Sequence, residues 1–136
     1  MSRLGRGFSI RLLASIDDTT YLRIRSGAEH RFIHIWVVVV KDRVFVRSWN
    51  DKPTGWYRAF LAEPRGAIEI AGRAVAIRAR TTRGERLMEA IEDAYARKYT
   101  TPASRFYVRG FRSPRRRRAT LELLRMGASA KFKVQS

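Results

Sequence analysis

The sequence has no cysteine, no long apolar run and few acidic residues, and each shortage excludes something. Because the 136 residues include no cysteine, disulfides, thiolate metal sites, iron–sulfur clusters and a cysteine nucleophile are all excluded. The longest apolar run, residues 33–40, is far shorter than the roughly 20 residues that a membrane-spanning helix needs. The N-terminal residues also lack the apolar core of a secretory signal. We therefore expect a cytoplasmic protein with no membrane partner.

The scarcity of acidic residues leaves a large positive charge. Only 12 aspartates and glutamates stand against 29 lysines and arginines, which gives a formal net charge of +17. Such a charge attracts nucleic acid and phosphorylated ligands. Arginine accounts for 24 of the 29 basic residues and is spread along the whole chain, so a compositional bias explains the charge equally well.

The apolar pattern predicts a single, mainly β domain over residues 1–136, with 1–8 and 127–136 as loose tails. Apolar runs bounded by turn residues predict six strands, over residues 20–26, 31–40, 44–48, 66–71, 73–81 and 119–125. Apolar residues at helical spacing predict four helices, over residues 9–16, 55–63, 83–99 and 104–111. Six antiparallel strands of even length, with helices inserted after the third and the fifth, favour a small β-barrel with peripheral helices, either closed or a six-stranded antiparallel split barrel. An open α+β sandwich is the alternative.

Cap residues and one unusual strand add detail to this prediction. Ser9, Thr54 and Ser104 are expected N-caps, and Thr82 begins the pattern of a capping box. The strand over residues 31–40 is apolar on both faces, which is typical of a central strand. In a small barrel such a strand needs cover from the interior on one face and from a helix or a second subunit on the other. A homodimer is one of these two possibilities.

Five polar side chains near the ends of neighbouring strands form a candidate phosphate site: Arg25, Ser26, Arg31, Arg47 and Ser48. If the strands pair as predicted, these side chains meet at one corner, together with the start of the helix near Thr54. Guanidinium groups bind phosphate through paired hydrogen bonds, serine hydroxyls add short ones, and a helix N-terminus presents free N–H groups. The convergence of these groups indicates an anion site.

Aromatic residues and one histidine surround the same corner. Trp49 lies in a polar loop, which favours a role as a ligand wall, whereas Trp56 has the helical spacing of a core residue. His34 interrupts an apolar strand, so it needs either a partner or a ligand. His30 shares a strand face with His34, but no third ligand completes a metal site, and we predict none. His34, Trp49 and Trp56 are therefore candidates to line the flat ring of a ligand, with a core position as the alternative for Trp56.

The four arginines at positions 115–118 are the candidate for binding nucleic acid. Phe106, Tyr107 and Phe111 precede them, and aromatic residues are common on surfaces that bind single strands. The sequence has no RNA-recognition signature and no helix-turn-helix pattern. The run is therefore more simply interpreted as a solvated surface.

The centre of the chain resembles a known family. A Trp-Tyr helix that ends in Ala-x-Pro is followed by a strand, a Gly-Arg turn and a strand that closes on Ala-Arg. These elements are Trp56-Tyr57, Ala62-Glu63-Pro64, residues 67–71, Gly72-Arg73 and Ala79-Arg80. They resemble the deazaflavin-dependent nitroreductases, part of the wider FMN-binding split-barrel group that includes the pyridoxamine phosphate oxidases. The chain is more similar still to small uncharacterised bacterial relatives of that family.

The resemblance implies a dimeric split barrel that holds a flavin or deazaflavin phosphate with arginine and serine residues at strand ends. Arg25, Ser26, Arg31 and Ser48 match those positions. It also implies an oxidoreductase that transfers hydride to a small molecule, with the chemistry supplied by the cofactor. Trp49 stands where the family often has lysine, and the choice between FMN and deazaflavin stays open. The alternatives are a cofactor-free module that binds nucleic acid and a structural dimer that has lost its cofactor site.

Overall fold

The structure is a computed structural model, and it describes residues 7–127. Within that range the chain forms five helices and seven strands. In chain order these are α1 Ile10–Asp18, β1 Leu22–Ser26, β2 Ile33–Ile35, β3 Val38–Val40, β4 Arg43–Arg47, α2 Trp56–Ala62, β5 Arg65–Ile70, β6 Arg73–Thr81, α3 Glu85–Lys98, α4 Pro102–Gly110, α5 Pro114–Arg117 and β7 Thr120–Arg125.

All seven strands belong to one curled sheet with the order β2-β1-β5-β6-β7-β4-β3, and every neighbouring pair is antiparallel. The two edge strands, β2 and β3, follow each other in the chain and are separated only by Trp36 and Val37. The sheet must therefore curl until its two edges lie within reach of this short link. The prediction of a mainly β fold with a curled antiparallel sheet and peripheral helices is confirmed.

The predicted number of six strands is wrong, because residues 31–40 do not form one central strand. They form two short strands at opposite edges of the sheet, with a break between Ile35 and Val38. At the break, the Val37 N–H donates to the Tyr99 hydroxyl at 3.1 Å, and Lys98 Nζ donates to the Val37 carbonyl at 2.9 Å. The end of α3 thus takes over hydrogen bonds that a continuous strand would have made with its neighbours.

The core consists of two clusters on the two faces of the sheet. The first fills the barrel interior, where α1 and α2 pack on inward-facing strand residues; its fully buried members include Ile16, Leu22, Ile24, Val44, Val46, Ile68 and Ile77. The second lies beneath α3 and α4 and includes Val38, Phe45, Ile91, Tyr95 and Phe111. Alternation along β4 explains the division, since successive strand residues point to opposite faces of a sheet.

Helix α2 closes the interior with Phe60, which is 2% exposed, whereas Trp56 is only half-buried. Burying a side chain of this size contributes about 1.5–3 kcal/mol. Phe8 is 8% exposed and belongs to the interior cluster, so it is not part of a loose tail. Of the predicted tails, residues 1–6 and 128–136 lie outside the described residues.

The helix starts confirm one predicted N-cap and correct three. Ser9 caps α1 as predicted, and its hydroxyl accepts from the Leu12 N–H at 3.1 Å. Thr54, Thr82 and Ser104 are replaced as N-caps by Gly55 for α2, Gly84 for α3 and Thr101 for α4, and Ser113 caps α5. Local spacing locates a helix without fixing its terminal residue. Among residues 7–127, no helix has the length and apolarity needed to cross a membrane.

We predict that Tyr99→Phe destabilises the fold, because it removes the hydroxyl that holds the break between β2 and β3. That hydroxyl also donates to the Thr20 carbonyl at 2.7 Å, and burial raises the pKa of Tyr99 to about 12, which keeps its proton in place. The loss should be about 1–3 kcal/mol in the free energy of unfolding, measured by urea denaturation. Tyr21→Phe, at an exposed position, is the matched control. Equal stability of the two variants would contradict the role of Tyr99.

Candidate functional site

A pocket of about 480 Å³ lies where β1 ends and α2 begins, and we call it the basic pocket. The loops after β1 and β4 complete its walls. Six of the eight predicted cofactor residues line it: Arg25, Ser26, Arg31, Ser48, Trp49 and Trp56. Its walls also include Lys52 and His30 but no carboxylate among the described lining residues. Three cations without a counter-charge make this pocket suited to an anion.

Arg25 gives the strongest single indication that the basic pocket binds an anion. In β1, Ile24 and Ser26 are buried on the inner face, and Arg25 extends from the other face. The Arg25 guanidinium carbon lies 4.6 Å from the centroid of the Phe32 ring, a cation–π contact that fixes the side chain. Its Nε is buried and has no hydrogen-bond partner among the described residues. A buried donor without an acceptor is costly, and an anion in the pocket would remove that cost.

The two serines of the basic pocket line it as predicted, but they use their hydroxyl hydrogens elsewhere. The Ser26 hydroxyl lies within hydrogen-bonding distance of the Ala59 carbonyl at 3.0 Å and the Glu63 carbonyl at 2.7 Å. The Ser48 hydroxyl donates to the Asn50 carbonyl. A hydroxyl carries a single hydrogen, so neither serine has a donor left for phosphate. The serines instead fix α2 and the loop after β4 to the strand ends.

Arg47 does not line the basic pocket and lines the aromatic pocket instead, so the structure separates it from the other four residues that the sequence predicted to hold phosphate. It is 3% exposed and packs on the α3 side of β4 rather than in the basic pocket. Its guanidinium forms an ion pair with Glu92 at 2.9 Å and donates to the Thr120 hydroxyl at 2.7 Å and the Phe111 carbonyl at 2.8 Å. Burial lowers the pKa of Arg47, and the hydrogen bond to Glu92 offsets part of that effect. Its hydrogen-bonding groups therefore serve the structure.

Glu92 is the buried centre of this ion-pair network, and sequence reasoning missed it. It is 0% exposed and also accepts from Arg117 at 2.6 and 2.7 Å and from Arg112 at 3.3 Å. Burial alone would raise the pKa of Glu92, but the hydrogen bonds from Arg117 and Arg47 outweigh burial and lower it. The sequence contained one indication that Glu92 is buried, because Glu92 lies four residues after Met88, on the apolar face of α3.

A second pocket, of about 350 Å³, adjoins the basic pocket, and we call it the aromatic pocket. Trp49 and Trp56 line both pockets and so form their shared wall. The remaining walls are Tyr21, His34, Ile35, Trp36, Arg47, Tyr107 and Phe111. His34 is exposed and meets the Tyr21 ring edge-on, with 6.3 Å between centroids. Of the predicted ring-lining residues, His34 thus lies in the aromatic pocket only.

Two of the four arginines at positions 115–118 are held by specific contacts. The Arg116 guanidinium lies over the Trp49 ring, and Arg117 binds Glu92 and Glu85. Arg115 and Arg118 are exposed. Half of the run is therefore already engaged within the fold, which weakens the argument for a nucleic-acid surface there. In the described part of the chain, no group of three His, Cys, Asp or Glu side chains is placed to hold a metal ion.

We predict that Glu92→Gln destabilises the protein by about 2–4 kcal/mol, because it leaves buried arginine charge uncompensated. The pKa of Glu92 is lowered from its ordinary value of 4.5, so its stabilisation is present above that pH and is lost as the pH falls towards the folded-state pKa. Wild-type stability should therefore fall more steeply than that of Glu92→Gln on acidification below pH 4.5. Urea denaturation across pH measures both effects.

Glu89→Gln is the matched control, because Glu89 lies on the exposed side of the same helix. It should keep both the neutral-pH stability and the acid dependence of the wild type. Parallel pH profiles for Glu92→Gln and the wild type would show that the Glu92 charge does not stabilise the fold.

Comparison with solved structures shows proteins of the same fold. A conserved hypothetical protein from Mycobacterium tuberculosis superposes with a TM-score of 0.54 and 8% sequence identity, covering 92% of this chain and 82% of that chain. A FAD-binding protein from Mesorhizobium loti superposes with a TM-score of 0.50 and 10% identity, covering 88% of each chain. At such low identity the likeness establishes the fold alone.

The sequence matches no curated protein. It does match a family described as an uncharacterized protein conserved in bacteria (DUF2255), over residues 12–123. The matched segment begins in α1 and ends within β7, so it includes both pockets and the Glu92 network. This chain therefore belongs to the DUF2255 family of bacterial proteins.

Proposed function

We propose that this protein binds a flavin-type cofactor, FMN or a deazaflavin, across the basic and aromatic pockets and acts as an oxidoreductase. The observation that carries the proposal is the composition of the basic pocket. Arg25, Arg31 and Lys52 line it without a carboxylate among the described walls, and the buried Nε of Arg25 lacks a partner there. The pocket opens beside two tryptophans, as a ligand with a phosphate and a flat ring requires.

The size and position of the two pockets support this proposal. Volumes of about 480 and 350 Å³ both fall within the range of about 300–1,000 Å³ that is usual for small-molecule sites. A phosphate placed in the basic pocket would meet charge-assisted donors from Arg25, Arg31 and Lys52. The indoles of Trp49 and Trp56 then lie at the boundary, where a ring attached to that phosphate would enter the aromatic pocket.

The comparisons and the motif resemblance support a flavin rather than another phosphorylated ligand. The Mesorhizobium loti protein of the same fold is described as FAD-binding. The Trp56-Tyr57 helix and the strands that follow it resemble the deazaflavin-dependent nitroreductases of the FMN-binding split-barrel group. Neither argument distinguishes FMN from a deazaflavin, so the proposal extends to both.

In this proposal the residues of the chain bind the cofactor, orient its ring and shield the site from water. A flavin-type cofactor supplies hydride transfer to a small-molecule acceptor when it is bound. Arg25 and Arg31 anchor the phosphate end, and Trp49 and Trp56 orient the ring. Trp36 and Tyr107, in the aromatic pocket, exclude water from the side on which the acceptor would bind. We assign no catalytic side chain.

Three further expectations stay predictions: a homodimer, a cytoplasmic location and the identity of the acceptor. The alternatives to an enzyme are a nucleic-acid-binding module and a structural dimer without a cofactor. Both predict that no flavin binds, so the cofactor titration separates them from the leading proposal.

We predict that Arg25→Ala and Arg31→Ala each weaken FMN binding by about tenfold, because each removes a charge-assisted contact. Riboflavin has the same ring without the phosphate, so its affinity should stay at the wild-type value in both variants. Fluorescence titration of purified protein measures both ligands. Arg83→Ala is the control, because Arg83 is exposed and lies outside both pockets.

The same titration tests the proposed function itself. The wild type should bind FMN or a deazaflavin cofactor saturably below the millimolar range, and a tightly held flavin would also colour the purified protein yellow. Absence of saturable binding for FMN, FAD and the deazaflavin would overturn the proposal. Equal losses for FMN and riboflavin in Arg25→Ala would instead show that Arg25 does not contact the phosphate.

A further inference from the structure

Arg116 lies directly against Trp49, which together with Trp56 forms the shared wall of the basic and aromatic pockets. Its guanidinium carbon is 3.5 Å from the centroid of the Trp49 ring, well inside the distance of a cation–π contact. Its Nε donates to the Trp49 carbonyl at 2.9 Å. One side chain therefore holds both the indole and the backbone of Trp49.

Residues near the end of α4 also pack against the Trp49 indole. A Cβ atom built on Gly110 would overlap the Trp49 ring, so only glycine allows this close approach. The Tyr107 and Phe111 rings also contact the indole, with centroids 4.8 and 5.8 Å away. Because Trp49 lines both pockets, the part of the indole that these groups leave open is the part a ligand would contact.

Arg116 is itself held in place by its surroundings. Its Nη1 donates to the Gly110 carbonyl at 3.3 Å, and its backbone N–H donates to the Ser113 hydroxyl at 3.3 Å. The next residue, Arg117, anchors α5 to α3 through its ion pairs with Glu92 and Glu85. The guanidinium thus has a fixed position against the indole, which a flexible surface arginine would not have.

We propose that Arg116 is a positioning residue for ligand binding, which fixes the Trp49 indole as the shared wall of the two pockets and so determines how a flat ring is received. This inference rests on the proposed function, because it concerns the same two pockets. Arg116 acts through Trp49 and does not line either pocket. Lysine cannot replace it, because an ammonium group lacks the planar face and the paired donors of a guanidinium.

The first test needs no cofactor and uses acrylamide quenching of tryptophan fluorescence. Arg116→Ala should expose Trp49 and raise the quenching constant by about one half, because the guanidinium no longer covers one face of the indole. Arg115→Ala is the matched control, because Arg115 is the exposed neighbour in the same short helix. In a Trp49→Phe background, Arg116→Ala should leave quenching unchanged, which assigns the signal to Trp49 rather than to Trp36 or Trp56.

The second test compares FMN with riboflavin. Arg116→Ala and Arg116→Lys should each weaken the binding of both ligands by a similar factor of about five. The reason is that each change displaces Trp49, which contacts the ring, and leaves the residues that bind the phosphate in place. This pattern differs from that of Arg25→Ala, which should affect FMN alone. If Arg116 acted only as a distant positive charge, Arg116→Lys would bind FMN as the wild type does and riboflavin would be unaffected. That result would overturn the proposal.

The quenching test does not depend on the proposed function, whereas the ligand comparison does. If the wild type binds neither FMN nor riboflavin, the proposed function fails, whereas quenching still decides whether Arg116 positions Trp49. Equal quenching in Arg116→Ala, Arg115→Ala and the wild type would overturn the positioning role. Far-UV circular dichroism checks folding, and if Arg116→Ala does not fold, Arg116→Lys supplies the same comparison with a side chain of similar length.

Discussion

The buried carboxylate of Glu92 is the interaction on which the walls of the site depend. It joins β4 through Arg47 and α5 through Arg117, and Arg47 also reaches the end of α4 at the Phe111 carbonyl. A charge with no exposed surface is tolerated only when it is paired and hydrogen-bonded, so these elements cannot separate without a large cost. Arg116 belongs to α5, and the aromatic residues that contact Trp49 lie in α4 or directly after it. The ion pairs thus set the positions of the residues that hold Trp49, although Trp49 itself belongs to none of these pairs.

Buried acidic residues are paired with arginines, and no carboxylate is among the described residues that line the basic pocket. Glu92 and Glu122 are both fully buried, and each accepts from more than one arginine. Glu122, for example, binds Arg43 and Arg80 on the outer side of the sheet. With carboxylates so few and so engaged, a pocket lined by arginine and lysine keeps its positive potential. Composition bias and an anion site are therefore compatible explanations of the same excess.

The sequence predicted much of the fold and part of the candidate site. The Ser9 cap, the strands β4 to β7 and the placement of Arg25, Arg31, Trp49 and Trp56 at or near the ends of strands and helices follow from patterns within a few residues. Arg47 could not be placed in this way. Alternation along β4 assigned it a face, but only the packing of α3 showed that this face is buried against Glu92, 45 residues later in the chain.

By itself, then, the sequence determined the local elements and which basic and aromatic residues lie near their ends, because periodicity, turns and caps act over short distances. Tertiary structure alone decided which polar groups remain available there. It divided residues 33–40 between the two edges of the sheet by means of Tyr99, tied the Ser26 hydroxyl to the α2 carbonyls, and brought Arg116 onto Trp49. These contacts join residues far apart in the chain, and no local pattern encodes them.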